Sequence, residues 1–142
     1  MVKYLKQYEL FYKKAGVDFK AAQNLYEDFQ NGDSELDLEI IFFHLQQTAE
    51  KLLKALLSFM KINFPKIHDL EELLNIIRQN NIDLQTDNEK LTDLGDYAVE
   101  GRYSIIHDDF EDAKEYFSLI STLKSDIEKI IFQKSSNAGN TV

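Results

Sequence analysis

A long apolar helix dominates this sequence. Residues 36–61 contain no glycine or proline and are rich in leucine, alanine, lysine, glutamate and glutamine, which favour helix. The stretch 38–45 is apolar on nearly every side, and the apolar residues after it follow helical spacing: Leu45, Ala49, Leu52, Leu53, Leu56 and Met60. This pattern predicts a helix that is buried all round at its start and amphipathic toward its end. We expect every other helix to pack against it.

The segments on either side also have helical periodicity. An apolar stripe covers residues 2–30, where Gly16 leaves two alternatives open: one continuous helix, or a break with Asp18 capping the second piece. The pair Asn31-Gly32 predicts the end of this segment.

Further helices follow the central one. The only proline of the chain, Pro65, marks the main turn, and a short helix is expected to start at His68 or Asp69. Thr86 and Glu89 have the spacing of a capping box and predict the start of a fourth helix. The last helix has the most regular apolar pattern: Ala113, Tyr116, Ile120, Leu123, Ile127 and Ile130. Such a seam is typical of an antiparallel bundle or a subunit contact.

The fold class follows from the absence of any period-two pattern. We predict an all-α protein, an antiparallel bundle of four to five helices. Residues 1–134 are expected to form a single domain, and the small polar residues 135–142 to form a flexible tail.

Composition narrows the function classes. The chain has no cysteine, which excludes disulfides and thiol chemistry and fits a reducing compartment. No segment has the apolar length of a secretion signal or a membrane span, so we expect a cytoplasmic protein without a membrane partner. The net charge of −9 repels a phosphate backbone, and no DNA partner is expected.

The three histidines are candidates for chemistry. His44, beside two phenylalanines in the central helix, is expected to be a satisfied core or interface residue, and His68 to have a capping or turn role. None has the spacing of a zinc site, so neither a metal nor a cofactor is expected.

His107 differs because Arg102 precedes it by five positions. An arginine holds phosphate oxygens in a fork and a histidine exchanges protons near neutral pH, so the two suffice for phosphodiester transfer to a neighbouring 2′-hydroxyl. In a continuous helix their side chains lie about 140° apart, and they converge if the helix unwinds after Ile105. The alternative is an Arg102 paired with local carboxylates.

Three motifs follow one another along the chain. They are Gln-Gln-x-x-Glu-Lys-x-x-Lys-Ala at 46–55, His-x-Leu at 68–70 and Arg-Tyr at 102–103. Together they resemble the HEPN domain family, in the bacterial and archaeal branch whose members are often paired with minimal nucleotidyltransferases. The resemblance runs from about residue 12 to residue 133 and implies a four- or five-helix bundle that commonly dimerises. A homodimer is therefore expected.

The resemblance also implies two kinds of function. Many members carry an arginine, four to six residues and a histidine as a metal-independent ribonuclease pair at the dimer cleft. Carried over, Arg102 would hold the scissile phosphate and His107 would act on the 2′-hydroxyl or the leaving oxygen. Other members partner nucleotidyltransferases, often as toxin–antitoxin pairs, or bind nucleotides. Here Tyr103 stands where the toxin form often has a small polar residue, and Asp109 where it tends to have tyrosine, which counts against nuclease action.

Local charge indicates which of these functions to expect first. From Asp87 to Glu115 ten acidic residues stand against three basic ones, a balance of −7. An RNA groove concentrates positive potential. We therefore expect first an accessory module associated with nucleotide or RNA, working with a nucleotidyltransferase or in a toxin–antitoxin or defence system. The alternatives are a metal-independent endoribonuclease using Arg102 and His107, and an inactive structural dimer.

The central helix carries a second candidate set. Glu50 and Lys54 have the i,i+4 spacing that predicts an ion pair on an exposed helix face. Alternatively, Lys51 and Lys54 reach a phosphate near Arg102 and form a nucleotide-binding set with Arg102 and Tyr103.

Overall fold

The computed structural model describes residues 5–32, 38–100 and 110–140. These ranges contain five α-helices and no strand: α1 (Gln7–Gln30), α2 (Leu38–Phe59), α3 (Leu70–Gln79), α4 (Asn88–Glu100) and α5 (Phe110–Asn140). The prediction of an all-α helical bundle is confirmed. Within the same ranges, no helix combines the length and the apolar character that crossing a membrane requires.

Helix α2 is the centre of the bundle. It contacts each of the other four helices. Its side chains are buried on every side from Leu52 to Leu57, whereas Ile40 and Phe43 at its start are 43% and 48% exposed, so the predicted burial all round at the start is wrong. The expectation that every other helix packs against this one is confirmed for the described helices. Helix α2 ends at Phe59, two residues before the predicted end at Lys61.

Helix α1 runs without a break through Gly16. A glycine in a helix interior costs about 1 kcal/mol relative to alanine, but packing on α2 outweighs this, since Ala15 and Ala22 are fully buried on either side. Of the two alternatives that the sequence leaves open, the continuous helix is correct. Asp18 consequently caps nothing and instead faces α2, where it binds His44 and Lys51.

Helices α1, α2 and α3 are each followed by a residue in the left-handed conformation. Helix α1 is followed by Gly32 with φ +94°, and α3 by Asn81 with φ 59°, both ordinary residue types for this conformation. Helix α2 is followed by Lys61 with φ 58°, although a lysine pays a steric cost there that glycine does not. The amide N–H of Ile62 closes this end by donating to the carbonyl of Leu57 at 2.9 Å.

The capping box predicted for helix α4 is wrong. Asp87 accepts the N–H of Lys90 at 3.2 Å at this end. Thr86 is buried and turns away, because its hydroxyl and its amide N–H both donate to the Asp126 carboxylate of α5, at 2.6 and 2.9 Å. A buried carboxylate without donors is costly, so this long-range contact outweighs the local cap.

Aromatic side chains fill the space between α1 and α5. Tyr12 packs edge-on against Phe132, and Phe19 and Tyr26 both pack on Phe117. The predicted seam of α5 is buried at four positions, namely Ala113, Ile120, Leu123 and Ile127. Helix α5 reaches Asn140, so it extends into residues 135–142, where a flexible tail is predicted.

Candidate functional site

The arginine and histidine of the predicted catalytic pair lie outside the described residues. Arg102, Tyr103 and His107 all fall in residues 101–109, and the structure describes the chain only up to Glu100 and again from Phe110. The predicted site residues that it does place are Lys51 and Lys54, both on α2.

Lys51 is engaged in a bridge between α1 and α2. Its ammonium group forms an ion pair with Asp18. The other carboxylate oxygen of Asp18 lies 3.1 Å from Nδ1 of His44. The expectation that His44 is satisfied within the fold is confirmed, because one aspartate of α1 binds two residues of α2.

Lys54 belongs to a buried polar cluster. Its Nζ lies 3.2 Å from Oε2 of Glu50, and the residues are only 8% and 3% exposed. The predicted i,i+4 ion pair is therefore present, but its predicted position on an exposed face is wrong. The reason is that α2 has neighbours on several sides, so even its polar positions are covered.

The carboxylate of Glu50 is the centre of this cluster. Both of its oxygens lie 3.1 Å from Nδ1 of His68, and Nε2 of Gln46 lies 3.5 Å from Oε1. Gln46 also donates to the backbone carbonyl of His68 at 3.3 Å. Three side chains thus offset the cost of burying one carboxylate, and they tie the turn before α3 to α2.

Of the predicted capping or turn role, His68 has the turn role, since its ring and its carbonyl hold the turn before α3 to α2. Asp69 is the N-cap of α3, since its carboxylate accepts the N–H of Glu71 at 3.0 Å. The His68 ring leans on Glu50 while its side chain stays 81% exposed. An ionised carboxylate only accepts hydrogen bonds, so it favours a proton on Nδ1 and leaves Nε2 facing solvent. Sequence reasoning missed this pair, although both residues lie in the motifs that carry the family resemblance.

A cleft of about 690 Å³ opens beside His68. It lies between the start of α1, the end of α2 and the loop between α2 and α3. Its lining residues are Gln7, Phe11, Lys54, Ser58, Lys61, Ile62, Asn63, Phe64, Lys66 and His68. Three lysines and a histidine line it, and none of these ten residues is acidic.

The sequence around the predicted catalytic pair is acidic, in contrast to the lining of the cleft. Among its three basic residues, Lys90 is paired with Glu115, so the pair leaves the −7 balance unchanged. In the part of the chain that the structure describes, no group of three or more histidine, aspartate and glutamate side chains is arranged to hold a metal ion.

Comparison with known proteins identifies the family. The family model described as HEPN domain matches residues 8–130, which is most of the chain. No curated protein and no solved structure gives a significant match. The described residues form five helices and no strand, which agrees with this match because HEPN domains are all-α. The chain therefore belongs to the HEPN domain family, a family of nucleotide- or RNA-related modules that often dimerise.

Proposed function

We propose that this protein is an accessory module that associates with nucleotide or RNA and works with a nucleotidyltransferase partner, in a toxin–antitoxin or defence setting, as a homodimer. The observation that carries the proposal is the charge around Arg102 and His107. Ten acids against three basic residues give the chain from Asp87 to Glu115 a charge balance of −7. A stretch with this charge repels an RNA strand and attracts a basic protein surface.

The alternative that the sequence supports is a metal-independent endoribonuclease. Four residues separate Arg102 from His107, which is the spacing of the ribonuclease pair in the family. In that function Arg102 would hold the scissile phosphate and His107 would transfer a proton at the 2′-hydroxyl or the leaving oxygen. Its active site would need cations from the second subunit to offset the local acids.

The weaker nucleotide-binding set consists of Arg102, Tyr103, Lys51 and Lys54. The two lysines are held by carboxylates, Lys51 by Asp18 and Lys54 by Glu50. To bind a phosphate, each would share its charge with a carboxylate already in contact. We therefore assign them a secondary role at most in phosphate binding.

Affinity capture tests the partner. The chain, tagged at one end and expressed in its source cells, is captured and its co-purifying proteins are identified by mass spectrometry. We expect a nucleotidyltransferase in roughly equal amount, and we expect capture to weaken as salt is raised, because exposed charges are screened within about 10 Å at 0.1 M salt. Capture of the chain without any nucleotidyltransferase would contradict the partner role.

A further inference from the structure

The cationic cleft beside His68 differs in charge from the rest of the molecule. The protein carries a net charge of −9, yet the side chains that line this cleft include Lys54, Lys61, Lys66 and His68 and no carboxylate. A concave surface lined by one sign of charge focuses the electrostatic potential and attracts ligands of the opposite sign. This lining favours an anionic ligand.

Two of these cations are available to bind an anion in the cleft. Lys54 is neutralised by Glu50. Lys61 and Lys66 are exposed, and neither makes an ion pair within residues 5–32, 38–100 and 110–140. The end of α2 carries the negative pole of the helix, and this is partly offset because the carbonyls of Leu56, Leu57 and Ser58 accept backbone N–H groups.

The position of Lys61 is unusual in itself. It occupies the left-handed residue after α2, where the other described helix ends have glycine or asparagine. A lysine at this position is sterically costly. Lys61 lines the cationic cleft at this position, which is consistent with a role for its charge.

The cleft also has an aromatic wall. The rings of Phe11 and Phe64 lie 6.3 Å apart with an interplanar angle of 58°, and both line the cleft. Ser58 lines it too, and its hydroxyl has no hydrogen-bond partner among the described residues. Small-molecule sites typically measure about 300–1,000 Å³ and combine apolar walls with a few polar groups. A cleft of about 690 Å³ has the size for a mononucleotide.

We propose that this cleft binds a nucleoside triphosphate, with the phosphates on Lys61 and Lys66, the His68 ring at the edge, and the base against Phe11 and Phe64. The ligand class rests on the nucleotide association proposed above, whereas the location rests on the cleft alone. Aromatic side chains stack on any base because every base has a π-face, so the site distinguishes nucleotide from phosphate more than one base from another.

Isothermal titration with ATP, tripolyphosphate and adenosine, without divalent ions, tests the proposal. We expect ATP to bind tighter than tripolyphosphate, and the double variant Lys61→Gln/Lys66→Gln to bind ATP at least tenfold more weakly. The matched control is Lys20→Gln/Lys129→Gln, which removes two exposed lysines from α1 and α5, outside the cleft, and should bind like wild type. Phe64→Leu should weaken ATP binding while tripolyphosphate binding, which also reports a folded site, is kept.

The contradicting outcomes separate the two proposals. Equal ATP affinity in wild type and Lys61→Gln/Lys66→Gln would overturn the proposal that ATP binds in the cleft. Nucleotide association at another site would remain in place. Equal affinity of ATP and tripolyphosphate would overturn the assignment of a nucleotide to the cleft. No binding of ATP to wild type would overturn both the cleft site and the nucleotide part of the proposed function, while affinity capture would still report on the partner.

Discussion

Glu50 is the centre of the buried polar cluster on α2. Its carboxylate contacts Lys54, His68 and Gln46 and is almost completely covered. Removing one member of a buried ion pair leaves the other charge uncompensated, which costs several kcal/mol. We predict that Glu50→Ala lowers the free energy of unfolding by about 3 kcal/mol, as measured by urea denaturation.

The double variant Glu50→Leu/Lys54→Met is the control. Apolar residues of similar size that replace both members of a buried pair are often tolerated. The double variant should therefore be more stable than Glu50→Ala. If it is no more stable, the charge of Lys54 is not the source of the penalty.

Replacing Lys61 by glycine should change stability and ATP binding in opposite directions. Glycine relieves the left-handed strain, so Lys61→Gly should raise the free energy of unfolding by up to about 1 kcal/mol. The same change should weaken ATP binding, since it removes a cation from the cleft. Asn81→Gly, at the equivalent position after α3, should gain less because asparagine tolerates φ near 59°. A loss of stability in Lys61→Gly would show that the lysine is there for structure.

The contact between Thr86 and Asp126 joins the loop before α4 to α5. Thr86→Val keeps the backbone donor and removes the hydroxyl that binds the buried carboxylate. Hydrogen bonds to charged groups contribute about 1.5–3 kcal/mol, so we predict a loss of about 2 kcal/mol in the free energy of unfolding. Thr92→Val removes a hydroxyl that donates only to the Asn88 carbonyl in the same helix, and it should cost much less. Equal losses of unfolding free energy in Thr86→Val and Thr92→Val would contradict a stabilising role for the contact between Thr86 and Asp126.

Tyr12 joins α1 to α5 with a pH-dependent contact. Burial, and then the hydrogen bond and charge of Glu128, raise the pKa of the Tyr12 hydroxyl well above its usual range. A raised folded pKa means that the contact contributes stability below about pH 10 and loses it as the pH rises further. Tyr12→Phe should cost about 1 kcal/mol at neutral pH, and its difference from wild type should shrink above about pH 10. A difference that stays constant up to pH 12 would contradict this.

The helices could be predicted from sequence more completely than the polar contacts between them. Apolar spacing places α2 and the stripe of α3 correctly, because a helix with a buried face has apolar residues at regular intervals along the sequence. Glu50 forms the predicted i,i+4 pair with Lys54 and also has a distant partner, His68, that no local pattern indicates. Thr86 fits a capping box, but its partner is Asp126, forty residues away. Local spacing carries no information on such contacts.

At the scale of the whole molecule, charge is distributed unevenly. The described cleft between α1, α2 and the following loop is cationic, whereas the chain from Asp87 to Glu115, which includes the Arg102 and His107 pair, is strongly acidic. Anionic ligands are expected at the first and a basic partner at the second. The family contains both nucleases and partnered modules, and this separation of charge favours the partnered module.

The acidic sequence around Arg102 and His107 leads us to expect that the isolated protein does not cleave RNA by itself. A mixed pool of single-stranded RNA and tRNA is incubated in EDTA with wild type, Arg102→Ala and His107→Ala, all confirmed to be folded and of the same oligomeric state. We predict that wild type leaves the pool intact, as both variants do. Cleavage by wild type that is lost in both variants would contradict the account and establish Arg102 and His107 as a metal-independent ribonuclease site.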